Sequence, residues 1–106
     1  MSALCRASAV GARLTRDAIA LFPGALELAR AGHGSTLTPA NRAAFTIQGA
    51  EGPRDGLLFD PQTAGGFLAA VAADQSAALL AQLHALGHEA AHIGILTEDS
   101  EKIFIE

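Results

Sequence analysis

The stretch Asp60-Pro61-Gln62-Thr63-Ala64-Gly65-Gly66 holds the residues best suited to chemistry. Asp60 can cap the short turn that Pro61 begins, and Thr63 offers a hydroxyl. Gly65 and Gly66 leave their backbone N–H groups unshielded and allow positive φ. A loop of this kind just ahead of a buried strand can face a phosphate. The same stretch also reads as a tight turn whose glycines serve geometry alone.

A second set lies in Gly32-His33-Gly34-Ser35-Thr36 with Asn41-Arg42. It gathers hydroxyls, an amide and a guanidinium, all able to bind oxyanions. It reads equally as a solvated loop leading into a capped helix. His84 and His88 have the i, i+4 spacing of a metal pair, but Gly87 interrupts the helix between them. Only Glu89 stands near enough in sequence to help, so these histidines read as surface residues and no metal site is assigned. Cys5 lies on an apolar helix face and reads as a packed small side chain. No Ser/His/Asp set, phosphate-binding P-loop or carboxylate pair stands out, and no catalytic residue is assigned.

The elements that must position these residues follow from spacing. Ala3, Leu4, Ala7 and Val10 predict a helix over 2–9, stopped by Gly11. A short strand over 12–15 and a connection over 17–21 come next. A helix is expected over 22–32, with Pro23 in its first turn and Gly32 at its end. Thr38 and Pro39 read as N-cap and first residue of a short helix to Ala44. Residues 45–48 suggest a strand and 49–56 a polar surface turn. Leu57-Leu58-Phe59 is an apolar plug before the candidate loop. Residues 67–71 are apolar without alternation, which predicts a strand covered on both faces. Asp74 reads as the cap of a helix with Leu79, Leu80, Leu83 and Leu86 in a stripe, ended by Gly87. Strands over 91–96 and 102–105 close the chain around a turn at 97–101. The fold class expected is α+β, a mostly antiparallel sheet covered by helices.

Composition bounds the rest. The chain has 106 residues, one domain's length. Half of them are hydrophobic, which excludes a disordered segment. Ala dominates that half, with five Phe and neither Trp nor Tyr, so the core buries little area per residue. Seven basic residues against eleven acidic ones give a net charge of −4, without the footprint of a nucleic-acid binder. No apolar run approaches a membrane span, and the start is not a signal peptide. One cysteine permits no internal disulfide, and the expected compartment is the cytoplasm.

The segment from Asp60 to Val71 closely resembles the Asp-Pro-Gln-Thr-Ser-Gly-Gly motif of the selenophosphate synthetases (selenide, water dikinases). Phe22 to Ala29, the pair Asn41-Arg42 and His92-Ile93-Gly94 also resemble parts of that family, and the likeness runs from about Leu4 onward. Ala64 stands where the family usually has Ser, and the approach to Asn41 differs from the usual Gly-Gly-Thr. The resemblance implies the C-terminal domain of a two-domain enzyme of the aminoimidazole ribonucleotide synthetase superfamily, with a ferredoxin-like sheet. The whole enzyme would convert selenide, ATP and water to selenophosphate, AMP and phosphate. ATP and Mg²⁺ would be held mainly by an N-terminal domain outside this chain, where the catalytic residues also lie. This chain would be inactive alone. The partners implied are that N-terminal domain and a second copy of the parent enzyme. Phosphate- or substrate-loop roles would fall to Asp60, Gln62, Thr63, Gly65, Gly66, Asn41 and Arg42. Two other readings remain open. One is a sister ATP-dependent enzyme of the superfamily, against which Gln62-Thr63 argues. The other is a non-catalytic ligand-binding or interaction domain. A domain cut from its partner exposes an apolar face, and the Ala-rich helix over 2–9 is the candidate.

Overall fold

The computed structural model describes residues 1–61 and 65–106. Helix α1 (Ser2–Ser8) runs into strand β1 (Gly11–Leu14), followed by a 3₁₀ turn at Arg16–Ala18. Helices α2 (Ala25–Arg30), α3 (Thr38–Ala44) and α4 (Gly52–Gly56) follow, then a second 3₁₀ turn at Leu57–Phe59. Helix α5 (Ser76–Ala85) precedes strands β2 (Gly94–Thr97) and β3 (Ile103–Ile105).

The three strands form one sheet in the order β2-β1-β3. Strand β1 is antiparallel to β2, with Gly11 opposite Thr97, and parallel to β3, with Ala12 opposite Ile103. Gln48 adds a parallel bridge to Phe104 on the far side. The α+β class holds, but the sheet is mixed, not mostly antiparallel. The reason lies at Gly11. A Cβ there would meet the carbonyl oxygens of Asp99 and Lys102 and the Thr97 hydroxyl. Its absence lets the turn after β2 cross the end of β1. The Glu101 N–H bonds the Val10 carbonyl, and the Ala12 N–H bonds the Lys102 carbonyl. The two closing strands therefore flank β1 and do not pair with each other.

Alternation sets the core. Ala12 and Leu14 are buried while Arg13 is exposed, and Ile103 and Ile105 are buried on either side of Phe104. These four side chains share one face with Cys5 of α1, with Met1, Ile19, Ile47, Ala50 and Leu58 packed at the margin. Each large aliphatic group so buried contributes roughly 1.5–3 kcal/mol. On the opposite face Arg13 lies 5.2 Å over the Phe104 ring and 3.7 Å from the Glu106 carboxylate. Helix α1 covers the core through Cys5, while Ala3, Arg6, Ala7 and Ser8 are exposed.

Helix ends repeat one device. After α2, Gly32 takes φ +86, and the N–H groups of Gly32 and His33 return to the carbonyls of Ala29 and Leu28. After α5, Gly87 does the same with His84, and His88 with Leu83. This pairing satisfies carbonyls that the last turn leaves open. After α1 the left-handed position is taken by Ala9, at φ 52, two residues before Gly11.

Several expectations fail for identifiable reasons. Residues 67–71 form no strand and are exposed, Phe67 completely. A strand needs a ladder partner, and an apolar run alone does not supply one. Leu68 to Val71 instead stand across an apolar cleft of about 660 Å³ from the 92–96 segment. Residues 45–48 contribute only the Gln48 bridge. Where a surface turn was expected at 49–56, α4 forms, with Pro53 in its first turn. Asp55 folds inward there and accepts the Glu51 N–H at 2.9 Å, closing that helix start. Thr38 opens α3 as its first residue without a capping bond, and the Ser35 Oγ accepts the Leu37 N–H instead. Asp74 lies outside α5, whose cap position is Gln75. Pro23 precedes α2, in a turn closed from the Ala25 N–H to the Phe22 carbonyl. Leu86 is largely exposed, so the α5 stripe is buried only in part.

Candidate functional site

The candidate loop leaves the fold at Phe59, which is 4% exposed and closes the 3₁₀ turn. The Asp60 N–H bonds back to the Leu57 carbonyl at 3.2 Å, and Asp60 itself turns to extended backbone. Helix α3 fixes this departure point from the side. Asn41 donates from Nδ2 to the Phe59 carbonyl at 2.9 Å. One position along, the Arg42 guanidinium lies 5.2 Å over the Phe59 ring and donates to the Ala50 carbonyl at 3.1 Å. The ring's negative face attracts that cation, and the contact is worth about 0.5–1 kcal/mol on an exposed side chain.

The structure places Asn41 and Arg42 against Phe59, the residue before the candidate loop, and engages both with protein groups. Arg42 has no carboxylate in ion-pair range among the described residues. Asp60 and Pro61 are half-buried, Gly65 and Gly66 are exposed, and a Cβ on Gly66 would stand in open space. Gln62, Thr63 and Ala64 lie outside the described residues.

In the second candidate set the polar groups bond the backbone. Ser35 closes its own turn, and the His33 N–H completes the end of α2. His84 places Nε2 2.8 Å from the Ala90 carbonyl. Among the described residues no group of three or more His, Cys, Asp or Glu side chains could hold a metal ion. Cys5 is a core residue.

Sequence reasoning missed the neighbouring polar cluster. Asp55 is 1% exposed and meets Arg16 through both carboxylate oxygens. Arg16 also donates to the Gly49 carbonyl at 2.9 Å. Arg54 donates to the carbonyls of Arg16 and Ile19 at 3.2 and 3.0 Å. These bonds tie the end of β1 to α4, and α4 leads directly into the turn that ends at Phe59. A single buried acid in a polar run carries no sequence signal, because burial is decided by a partner far along the chain.

A small α+β domain with a glycine-rich loop on a fixed stem is the class that the geometry defines. Over residues 1–106 the chain matches the family model described as AIR synthase related protein, C-terminal domain, and it belongs to that family. It is 36% identical over 98 residues to a selenide, water dikinase of Escherichia coli O6:H1, covering 91% of this chain and 28% of that protein. It is 39% identical over 106 residues to a selenide, water dikinase of Pelobacter propionicus, covering 93% of this chain and 30% of that protein. The chain thus spans less than a third of the length of the curated relatives it matches. Among the described residues no helix is long and apolar enough to cross a membrane.

Proposed function

We propose that the chain is the C-terminal domain of a selenide, water dikinase, the enzyme that forms selenophosphate from selenide, ATP and water. The observation that carries this reading is the 36% and 39% identity across more than nine-tenths of the chain. The motif Asp60-Pro61-Gln62-Thr63-Ala64-Gly65-Gly66 and its fixed stem at Phe59 support it. Phosphoryl transfer is catalysed mostly by positioning and by donors aimed at phosphate oxygens. In this reading Gln62, Thr63, Gly65 and Gly66 close over such oxygens at the boundary with an N-terminal domain, and Asp60 opens the loop. That domain holds ATP and Mg²⁺, and the parent works as a homodimer in the cytoplasm. The described residues offer no set that fits Mg²⁺, and no step through the metal is assigned to this chain.

The test joins this chain to its N-terminal domain and measures selenide-dependent release of AMP. Thr63→Ala and Gly65→Val should each lower turnover about tenfold or more. Unchanged turnover and ATP affinity in both variants would overturn the role of the loop. Turnover indifferent to selenide would overturn the assignment itself.

A further inference from the structure

We propose that Asn41 is a positioning residue, which acts on the candidate loop through Phe59 and not by touching substrate. The proposal rests on the functional reading above only for its kinetic arm.

Three observations converge on one residue. Phe59 is buried, so its ring has a single seat. Its carbonyl, the last before Asp60, accepts the Asn41 amide at 2.9 Å. Its ring carries the Arg42 guanidinium, which also holds the Ala50 carbonyl. Adjacent residues of α3 therefore grip Phe59 at backbone and ring together. The grip spans separate elements, since Asn41 and Phe59 stand 18 positions apart. Behind it, Asp55 and Arg16 fasten α4 to the end of β1. A residue held at both its carbonyl and its ring fixes the direction in which the chain leaves for Pro61. The Asn41 N–H that holds Phe59 is committed to the protein, because each N–H serves one good acceptor. Placement errors of about 1 Å near a reacting phosphate cost as much as about 100-fold in rate.

Asn41→Ala removes the donor while improving helix propensity, so α3 itself is not weakened. Hydrogen exchange on the full chain should show amides 57–60 opening about fivefold faster, the loss expected for one hydrogen bond, with the sheet amides unchanged. Asn41→Gln, which keeps an amide donor, should recover part of the protection. In the two-domain enzyme, Asn41→Ala should lower kcat about tenfold and leave the KM for ATP within about twofold. Should Asn41→Ala fail to fold, Arg42→Met, at an exposed position, should still speed exchange of the same amides about twofold. Unchanged exchange at 57–60 overturns the proposal, and so does a rise in KM for ATP with kcat intact. Faster exchange at 57–60 in a protein that makes no selenophosphate supports the grip and overturns only the functional reading.

Discussion

Arg16 donates its Nε–H to both carboxylate oxygens of Asp55, 3.1 Å from each, and Asp55 is the one buried charged side chain among the described residues. The two partners are unequally placed. The Asp55 side chain is 1% exposed and the Arg16 side chain 37%.

That inequality predicts an asymmetric response. Arg16→Ala strands a buried carboxylate and should cost about 3–5 kcal/mol. Asp55→Ala leaves a guanidinium that water can reach, so solvent screening reduces the loss to about 1–3 kcal/mol. Urea unfolding of both variants checks the order. Equal losses would show that the pair is less buried than its geometry indicates.

Ala9 ends α1 at φ 52, where Gly ends α2 and α5. A Cβ in the left-handed region costs roughly 1–2 kcal/mol, and glycine returns part of this as unfolded-state entropy. Ala9→Gly should therefore stabilise the chain by about 0.5–1 kcal/mol. Thermal melting would show a higher Tm, and a lower one would contradict the assigned helix end.

Gly11 and Gly32 separate two reasons for glycine. At Gly32 a Cβ meets nothing within 4 Å, and only φ +86 resists it. Gly32→Ala should cost about 1 kcal/mol. At Gly11 a Cβ meets the backbone carbonyls of Asp99 and Lys102. Gly11→Ala should cost about 3 kcal/mol or more, since overpacked backbone must move. Denaturant midpoints of the two variants test the contrast.

Phe59 and Phe67 make a matched pair for the segment after the candidate loop. Phe59 is 4% exposed, and Phe59→Ala should cost about 3–5 kcal/mol. Phe67 is fully exposed, and Phe67→Ser should change stability by no more than about 0.5 kcal/mol. A loss above about 2 kcal/mol at Phe67 would place that side chain inside the fold.

Local signals account for what was legible in the sequence. Strands close to β1, β2 and β3 were legible beside the turns that bound them, and Gly32 and Gly87 marked two helix ends. The candidate loop stood out by residue type. What escaped depends on distant partners. Nothing near Gly11 says that the turn after β2 crosses there, yet that crossing makes the sheet mixed. Nothing near residues 67–71 says whether a ladder partner is offered, and β2 pairs with β1 on one side only. Asn41 was singled out as an oxyanion donor because an amide can serve that end. Its engagement with Phe59 is a tertiary contact and has no local signature.

The strand order has a consequence for biogenesis. Strand β1 precedes both of its neighbours, 94–97 and 103–105, by most of the described sequence. No part of the ladder can close cotranslationally until residues 94–97 have left the ribosome. The nascent chain must carry the apolar residues of β1 unpaired through that interval, a condition that favours slow folding and recruits chaperones.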